Sequence, residues 1–289
     1  MHRRYDMHTH SLRSDGTLSP TELITRARAN GVDVLALTDH DVTDGIVEAQ
    51  VAADKVGLTL IAGVEISVTW EGQTLHIVGL NIDVSDASLQ QGLSGLREFR
   101  QWRAQEIGRR LHKKRIEGAF EGAMRYVHGT IVSRTHFGRF LFEQGFVRSP
   151  QQAFQQFLAR GKPAYVPGKW AALDQAVGWI RAAGGVAVVA HPARYKLSAG
   201  KLRRMLGEFR ECGGTAIEVI SGSHQPEMNR HFVDICLEHG FHASAGSDYH
   251  GPENPWVDLG RLPAIPESCI PVWRAWETKP TTMPLSNLG

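Results

Sequence analysis

Short, nearly all-apolar runs alternate with amphipathic helical stretches over most of this chain, and that alternation leaves few folds open. Tyr5–His8, Val32–Thr38, Leu58–Ile66 and Gln73–Asn81 read as strands, and Gly185–Ala190, Thr215–Ile220 and His242–Gly246 repeat the grammar later. Runs of this kind suit a parallel sheet buried on both faces. Between them Ser19-Pro20-Thr21-Glu22 opens a helix, with Ser19 as the cap, Pro20 in the first turn and Glu22 three residues on. Asn30-Gly31 stops it. Ile46–Lys55, Leu173–Ala183, Lys201–Glu211 and Glu227–His239 are the further helices. Seven or so strand–helix units predict an α/β barrel rather than an open sheet. At 289 residues the chain has room for a barrel with a smaller inserted domain, and 42% hydrophobic residues suffice for its core.

The pattern breaks over residues 98–165, which read as helical, strandless and basic. Arg97, Arg100, Arg103, Arg109, Arg110, Lys113, Lys114 and Arg115 crowd one segment. That is either a solvated helix face or a cap presenting positive charge to an anionic substrate. The expected division is therefore a discontinuous barrel, 1–97 and 166–280, a helical basic insert at 98–165 over the active site, and a loosely ordered tail at 281–289. A net charge of +2 is too small to announce a nucleic-acid binder. Cys212, Cys236 and Cys269 are odd in number and unpaired in spacing, which suggests neither a disulfide framework nor a thiolate zinc site. Met1-His2-Arg3-Arg4 leads into a polar strand with no apolar stretch behind it, so no secretion signal, no membrane partner and a reducing cytoplasm are expected.

The chemistry lies in where the histidines fall. Asp6-Met7-His8-Thr9-His10 puts His8 and His10 two apart at a strand end, on one side of the chain. Asp15 follows in Ser14-Asp15-Gly16, His40 in Thr38-Asp39-His40-Asp41, and Glu65 in Gly63-Val64-Glu65-Ile66-Ser67. His76 lies on the fourth strand, His191 in Ala190-His191-Pro192, and Asp248 and His250 in Gly246-Ser247-Asp248-Tyr249-His250. In a parallel barrel such ends converge on one face. Taken singly, His76 could be a core histidine, and Asp15 or Asp248 a turn residue. Taken together, six imidazoles and three carboxylates in one mouth would leave buried charge unpaired without cations. Nitrogen and oxygen donors without sulfur suit Mn²⁺, Fe²⁺ or Zn²⁺ rather than Ca²⁺.

These motifs resemble the PHP (polymerase and histidinol phosphatase) family, a distorted seven-stranded barrel with a trinuclear metal site. The resemblance covers the chain except the basic insert, and no ligand position of the family pattern is missing. It implies that His8, His10, Glu65 and Asp248 hold one metal, that Glu65 bridges to a second completed by His76 and His191, and that Asp15, His40 and His250 hold a third. Val78–Asp83, Ser133-Arg134-Thr135-His136-Phe137, Ala159–Pro167 and His191-Pro192-Ala193-Arg194-Tyr195 are similar to one subgroup. That subgroup removes the 3′-phosphate of 3′,5′-nucleoside bisphosphates, and some members, the RNase AM-like enzymes, trim RNA from its 5′ end.

On this reading two or three divalent cations, with Mn²⁺ expected and Fe²⁺ or Zn²⁺ as alternatives, bridge a hydroxide that attacks phosphorus in line. Asp15 or His224 is the candidate for the leaving-group proton. The second phosphate needs its own contacts, and Arg134 with Ser133 and His136, then Arg194, are the candidates, since a guanidinium's planar fork fits phosphate. The expected partner is a nucleotide or short RNA, with no obligatory protein partner. Three rivals remain: a histidinol-phosphate phosphatase, which would need an acidic contact for an amine; a 5′-3′ exoribonuclease with the same site; and a non-catalytic, polymerase-associated metal-binding module.

Overall fold

Seven strands lie in the order β1 to β7 in one sheet: β1 (Tyr5–Asp6), β2 (Val34–Leu37), β3 (Thr59–Trp70), β4 (Gln73–Leu80), β5 (Val186–Val189), β6 (Ala216–Ser221) and β7 (His242–Gly246). The structure, a computed structural model, describes residues 3–254 and 256–277, so the tail expected at 281–289 lies outside the described residues. The edges of the sheet meet: Met7 N–H donates to Ala245 O at 2.9 Å, Asp248 N–H to His8 O at 2.8 Å, and Thr9 bridges Tyr249 in parallel. The α/β barrel is thereby closed. Helices α1 (Pro20–Ala29), α2 (Ile46–Val56), α7 (Leu173–Ala182), α8 (Ala199–Glu211) and α9 (Pro226–His239) join the strands, beside a long α3 (Ala87–His112). The Ser19 cap forms as read, with Glu22 N–H donating to Ser19 Oγ and Ser19 N–H returning to the Glu22 carboxylate.

One expectation needs correction. The sheet is not wholly parallel, because β4 runs antiparallel to both β3 and β5. The cause is local. Only Glu71 and Gly72 separate β3 from β4, and both have positive φ, +44° and +71°, as a two-residue type I′ hairpin requires. A two-residue turn can only reverse the chain, whereas a parallel neighbour needs a crossover. β4 therefore descends from the mouth, and Leu80 ends it beside Val186, the first residue of β5.

That descent sets the path of α3. Leaving the base of the barrel, 26 residues rise roughly 39 Å at 1.5 Å per residue. Leu89, Leu93 and Leu96 pack into the core between the sheet and α7. Further along, Ala104, Ile107 and Leu111 join a second core with Phe137, Phe140 and Leu141 of α5 (Arg134–Glu143). The short helices α4 (Ala119–Met124) and α6 (Pro150–Ala153) and a π-turn at Phe154–Leu158 complete that layer, which contains no strand. A last short helix, α10 (Arg274–Glu277), ends the described chain.

The hairpin gives a clean test. A Cβ added to Gly72 would meet nothing within 4 Å, so Gly72→Ala changes only the backbone term. It should cost about 1 kcal/mol, the penalty of a left-handed L-residue, read as a lower denaturant midpoint at constant m. An unchanged midpoint would contradict the turn assignment.

Candidate metal centre

Glu65 is the hub of the mouth. It stands on β3, which runs past the barrel rim, and it is fully buried. Five imidazoles reach its carboxylate: His40 Nδ1 and His76 Nδ1 at 2.8 Å, His191 Nε2 at 3.0 Å, His10 Nε2 at 3.3 Å and His8 Nε2 at 3.4 Å. Asp248 Oδ1 lies 3.2 Å from His10 Nε2 and 3.6 Å from His8 Nε2. On the other side Asp15 Oδ1 sits 3.3 Å from His250 Nε2 and 3.8 Å from His40 Nε2. The structure thus brings all nine sequence-predicted ligands together. His76 arrives by the hairpin, not by a parallel strand end: it is the cross-strand partner of Ser67 and so shares the face of Glu65.

Three sets offer one donor atom each within 4.8 Å of the others: His8, His10, Glu65 and Asp248; His10, Asp15, His40 and His250; and His40, Glu65 and His76. The third set has His40 where the resemblance implied His191, and His10 joins the set of Asp15, His40 and His250. His10 belongs to two, and His40 joins Glu65 to Asp15. Burial opposes charge at every one of these groups. The imidazoles nonetheless hold Asp15, Glu65 and Asp248 well below the usual carboxylate range. Asp15 and Asp248 lift His250 to about 9. Burial lowers His10 to about 3, helped by the charge of His250, and His76 to about 4.

The supporting shell was largely illegible in the sequence. Glu218, from β6, accepts from His8 Nδ1 at 2.6 Å and from His191 N–H at 2.6 Å. It thereby turns His8 Nε2 toward the cluster, the usual orientation of a histidine ligand by a carboxylate. Its one signal was a lone acid inside the apolar run Ala216–Ser221. Asp39 accepts from Ser11 N–H, Ser11 Oγ and Ser14 Oγ and so shapes the loop that carries Asp15. Asp41 accepts from Ser67 N–H and pairs with Arg100. Asp41, His191 and Asp248 all have positive φ, backbone strain of roughly 1–3 kcal/mol each, gathered at the mouth.

Beside the cluster lies a cavity of about 200 Å³, lined by Arg100, Arg103, Arg134, Phe154, Tyr165 and Trp170 as well as cluster residues. Arg100 and Arg103 are buried on α3, and their guanidinium carbons sit 5.0 and 5.4 Å from the centre of the Trp170 ring. Arg103 donates to Val166 O and Arg134 to Leu158 O, neither to a carboxylate. Burial, then the charges of Arg134 and Arg100, push Arg103 down to about 9. Their signal was an arginine on the buried stripe of a helix, at 100 and 103 between Leu96 and Ile107.

Of the four predicted substrate contacts, Ser133, Arg134 and Arg194 line the cavity and His136 does not. His136 is buried and accepts from Ser133 N–H at 3.2 Å; it caps α5 and does not line the cavity. The Ser133 hydroxyl borders the cavity but donates to Asp15 Oδ2. Arg194 lines the cavity, and its Nη1 lies 2.5 Å from Asp248 Oδ2, on a cluster residue. His224 is stacked on Phe232 and does not line the cavity, whereas Asp15 does.

A closed barrel whose mouth concentrates histidines and carboxylates beside a cationic cavity defines the class. The PHP domain family matches residues 6–218, and the chain belongs to it. A 3′,5′-nucleoside bisphosphate phosphatase from Chromobacterium violaceum is 45% identical over 275 residues, 95% of this chain and 96% of its own. The 5′-3′ exoribonuclease Rnm of Escherichia coli K12 is 43% identical over 280 residues, 96% of this chain and 95% of its own. A solved structure of an amidohydrolase from Chromobacterium violaceum, with bound sulfate and no metal, superimposes with a TM-score of 0.91 at 44% identity, covering 95% of this chain and 96% of that one. Among the described residues no helix is long and apolar enough to cross a membrane.

Glu218 accepts from two donors at once. Glu218→Gln would turn one contact into a donor–donor clash, so divalent-cation affinity should fall at least about tenfold with little loss of fold. Cation titration by calorimetry, alongside circular dichroism, checks both halves.

Proposed function

We propose that the chain is a metal-dependent phosphoesterase that removes the 3′-phosphate of 3′,5′-nucleoside bisphosphates, releasing the nucleoside 5′-monophosphate and phosphate. The observation that carries this reading is the pairing of a histidine–carboxylate cluster with buried Arg103 and half-buried Arg134, which answer no carboxylate. Two phosphates on one ligand would satisfy both halves of the cavity.

The donor set fits divalent cations. Asp15 Oδ1, Glu65 Oε2 and His40 Nδ1 are buried in the cluster without a hydrogen-bond donor or acceptor in good geometry, and a cation answers such lone pairs. His8, His10, Glu65 and Asp248, with His40, His76, His191, Asp15 and His250, would hold two or three ions, and Mn²⁺ suits their nitrogen and oxygen mixture. When bound, such ions polarise phosphoryl oxygens and activate water for in-line displacement. The protein's own groups do the rest. Glu218 orients His8, Arg103 and Arg134 bind and place the remote phosphate, and Tyr165 and Phe154 border the nucleoside's space. A water oxygen bonds to phosphorus as the bond from phosphorus to the 3′ oxygen breaks, and a proton from that water ends on the ribose oxygen, so the products are the 3′-hydroxyl and phosphate.

Residues 98–165 act in this reading as a cap that delivers Arg100, Arg103 and Arg134 to the barrel mouth. Histidinol phosphate fits poorly, since the carboxylates lining the cavity, Asp15, Glu65 and Asp248, all belong to the cluster and leave none for an amine. An exoribonuclease using the same site is the second reading. It draws support from Arg160, Lys162 and Lys169, exposed on the segment that brings Tyr165 and Trp170 to the cavity, where further backbone phosphates could lie. The three free cysteines accord with a reducing cytoplasm.

Phosphate release from Mn²⁺-loaded protein tests the reading, with 3′,5′-bisphosphates, 3′-monophosphates, histidinol phosphate and short 5′-phosphorylated RNA compared. Arg134→Ala and Arg103→Ala should each lower kcat/KM for bisphosphates at least about tenfold more than for 3′-monophosphates. Equal losses on both would remove the arginines from recognition. Glu65→Ala should abolish turnover and metal loading together; full activity in that variant would defeat the site.

A further inference from the structure

The first turn of α5 faces two ways. Ser133 Oγ and Thr135 Oγ1 both reach Asp15 Oδ2, each at 3.1 Å, while Asp15 Oδ1 looks toward His40 and His250. Arg139, one turn further on, donates to the Asp15 backbone carbonyl at 3.2 Å. Nearby, a Cβ on Gly129 would lie 2.7 Å from Arg13 O, so the two backbones abut. The loop carrying Asp15 is thus gripped by the helical layer and not by the barrel alone. Between the two hydroxyl residues stands Arg134, whose side chain borders the cavity beside Arg103.

We infer that Ser133 and Thr135 are positioning residues for Asp15, and that the first turn of α5 couples occupation of the arginine cavity to cation binding at the Asp15 side of the cluster. The inference rests on the phosphoesterase reading for the nature of the cavity's ligand. A carboxylate oxygen held by two hydroxyl donors presents its other oxygen in one direction, and supporting contacts of this kind are worth about 10–100-fold in metal affinity. An anion on Arg134 would act on the same helical turn that carries the two donors. By linkage, the cation must then strengthen anion binding by the factor with which the anion strengthens cation binding.

Thr135 is the position to change, because Ser133 also caps α5 by accepting from Thr135 N–H, whereas the Thr135 hydroxyl serves Asp15. Full-length Thr135→Val keeps shape and loses the donor; Thr135→Ser restores it. Mn²⁺ titrations of the wild type should show one ion bound at least about tenfold more weakly in Thr135→Val, and recovered in Thr135→Ser, with metal content per chain falling in parallel. Adenosine 5′-monophosphate should tighten that ion in the wild type and in Thr135→Ser, and should not in Thr135→Val. Wild-type metal content and affinity in Thr135→Val would overturn the positioning role. Tightening that persists in Thr135→Val would mean that the nucleotide bridges directly to the ion, and would overturn the coupling. A wild-type protein that binds no 5′-monophosphate in either metal state would overturn the functional reading, and the coupling with it, while the Mn²⁺ titrations alone would still decide the role of Thr135.

Discussion

The rest of the molecule is arranged around a largely buried concentration of charge at the barrel mouth. Glu65 has no exposed surface, yet five imidazoles converge on it and two further carboxylates stand beside them. A buried carboxylate is costly unless its surroundings answer it. Here the answer is a ring of histidines whose own protonation is set by nearby acids and by burial. Asp15 and Asp248 lift His250 to about 9, whereas burial lowers His10 to about 3 and His76 to about 4. Divalent cations compete for the same lone pairs, so the cluster is stable chemistry only in company with positive charge.

Much of the local irregularity follows from that constraint. Asp41, His191 and Asp248 adopt left-handed backbone conformations that L-residues avoid. Each is held by hydrogen bonds that leave little choice. His191 N–H is fixed on Glu218, Asp248 N–H on His8 O, and Asp41 accepts from Ser67 while pairing with Arg100. The barrel supplies stiffness, and the strained residues use it to aim side chains inward.

A second accumulation of charge, opposite in sign, lies beside the first. Arg100, Arg103 and Arg134 repel one another in a half-enclosed cavity, and only Arg100 has a carboxylate to answer it. The route of α3 makes this possible. One helix is anchored by leucines in the barrel core, passes the mouth with its arginines turned inward, and ends in the apolar centre of the overlying layer. The hairpin between β3 and β4 is the origin of that route, since a descending β4 starts the helix at the base.

Sequence alone determined the barrel class and the nine residues that meet at its mouth, because buried strands must be apolar and strand-end histidines have few structural uses. The Ser19 cap and the limits of β7 were likewise legible, being local chemistry. Strand direction was decided by the Glu71-Gly72 turn, whose two-residue length was hidden because the third strand, read as ending at Ile66, runs on to Trp70. Tertiary structure alone decided what pairs over long separations: Glu218 with His8, Ser133 and Thr135 with Asp15, and Arg194 with Asp248. His136 shows the same limit from the other side, since a motif position adjacent to Arg134 serves as a helix cap. A one-dimensional pattern records which residues need burial or a partner, and only the folded path records which partner is within reach.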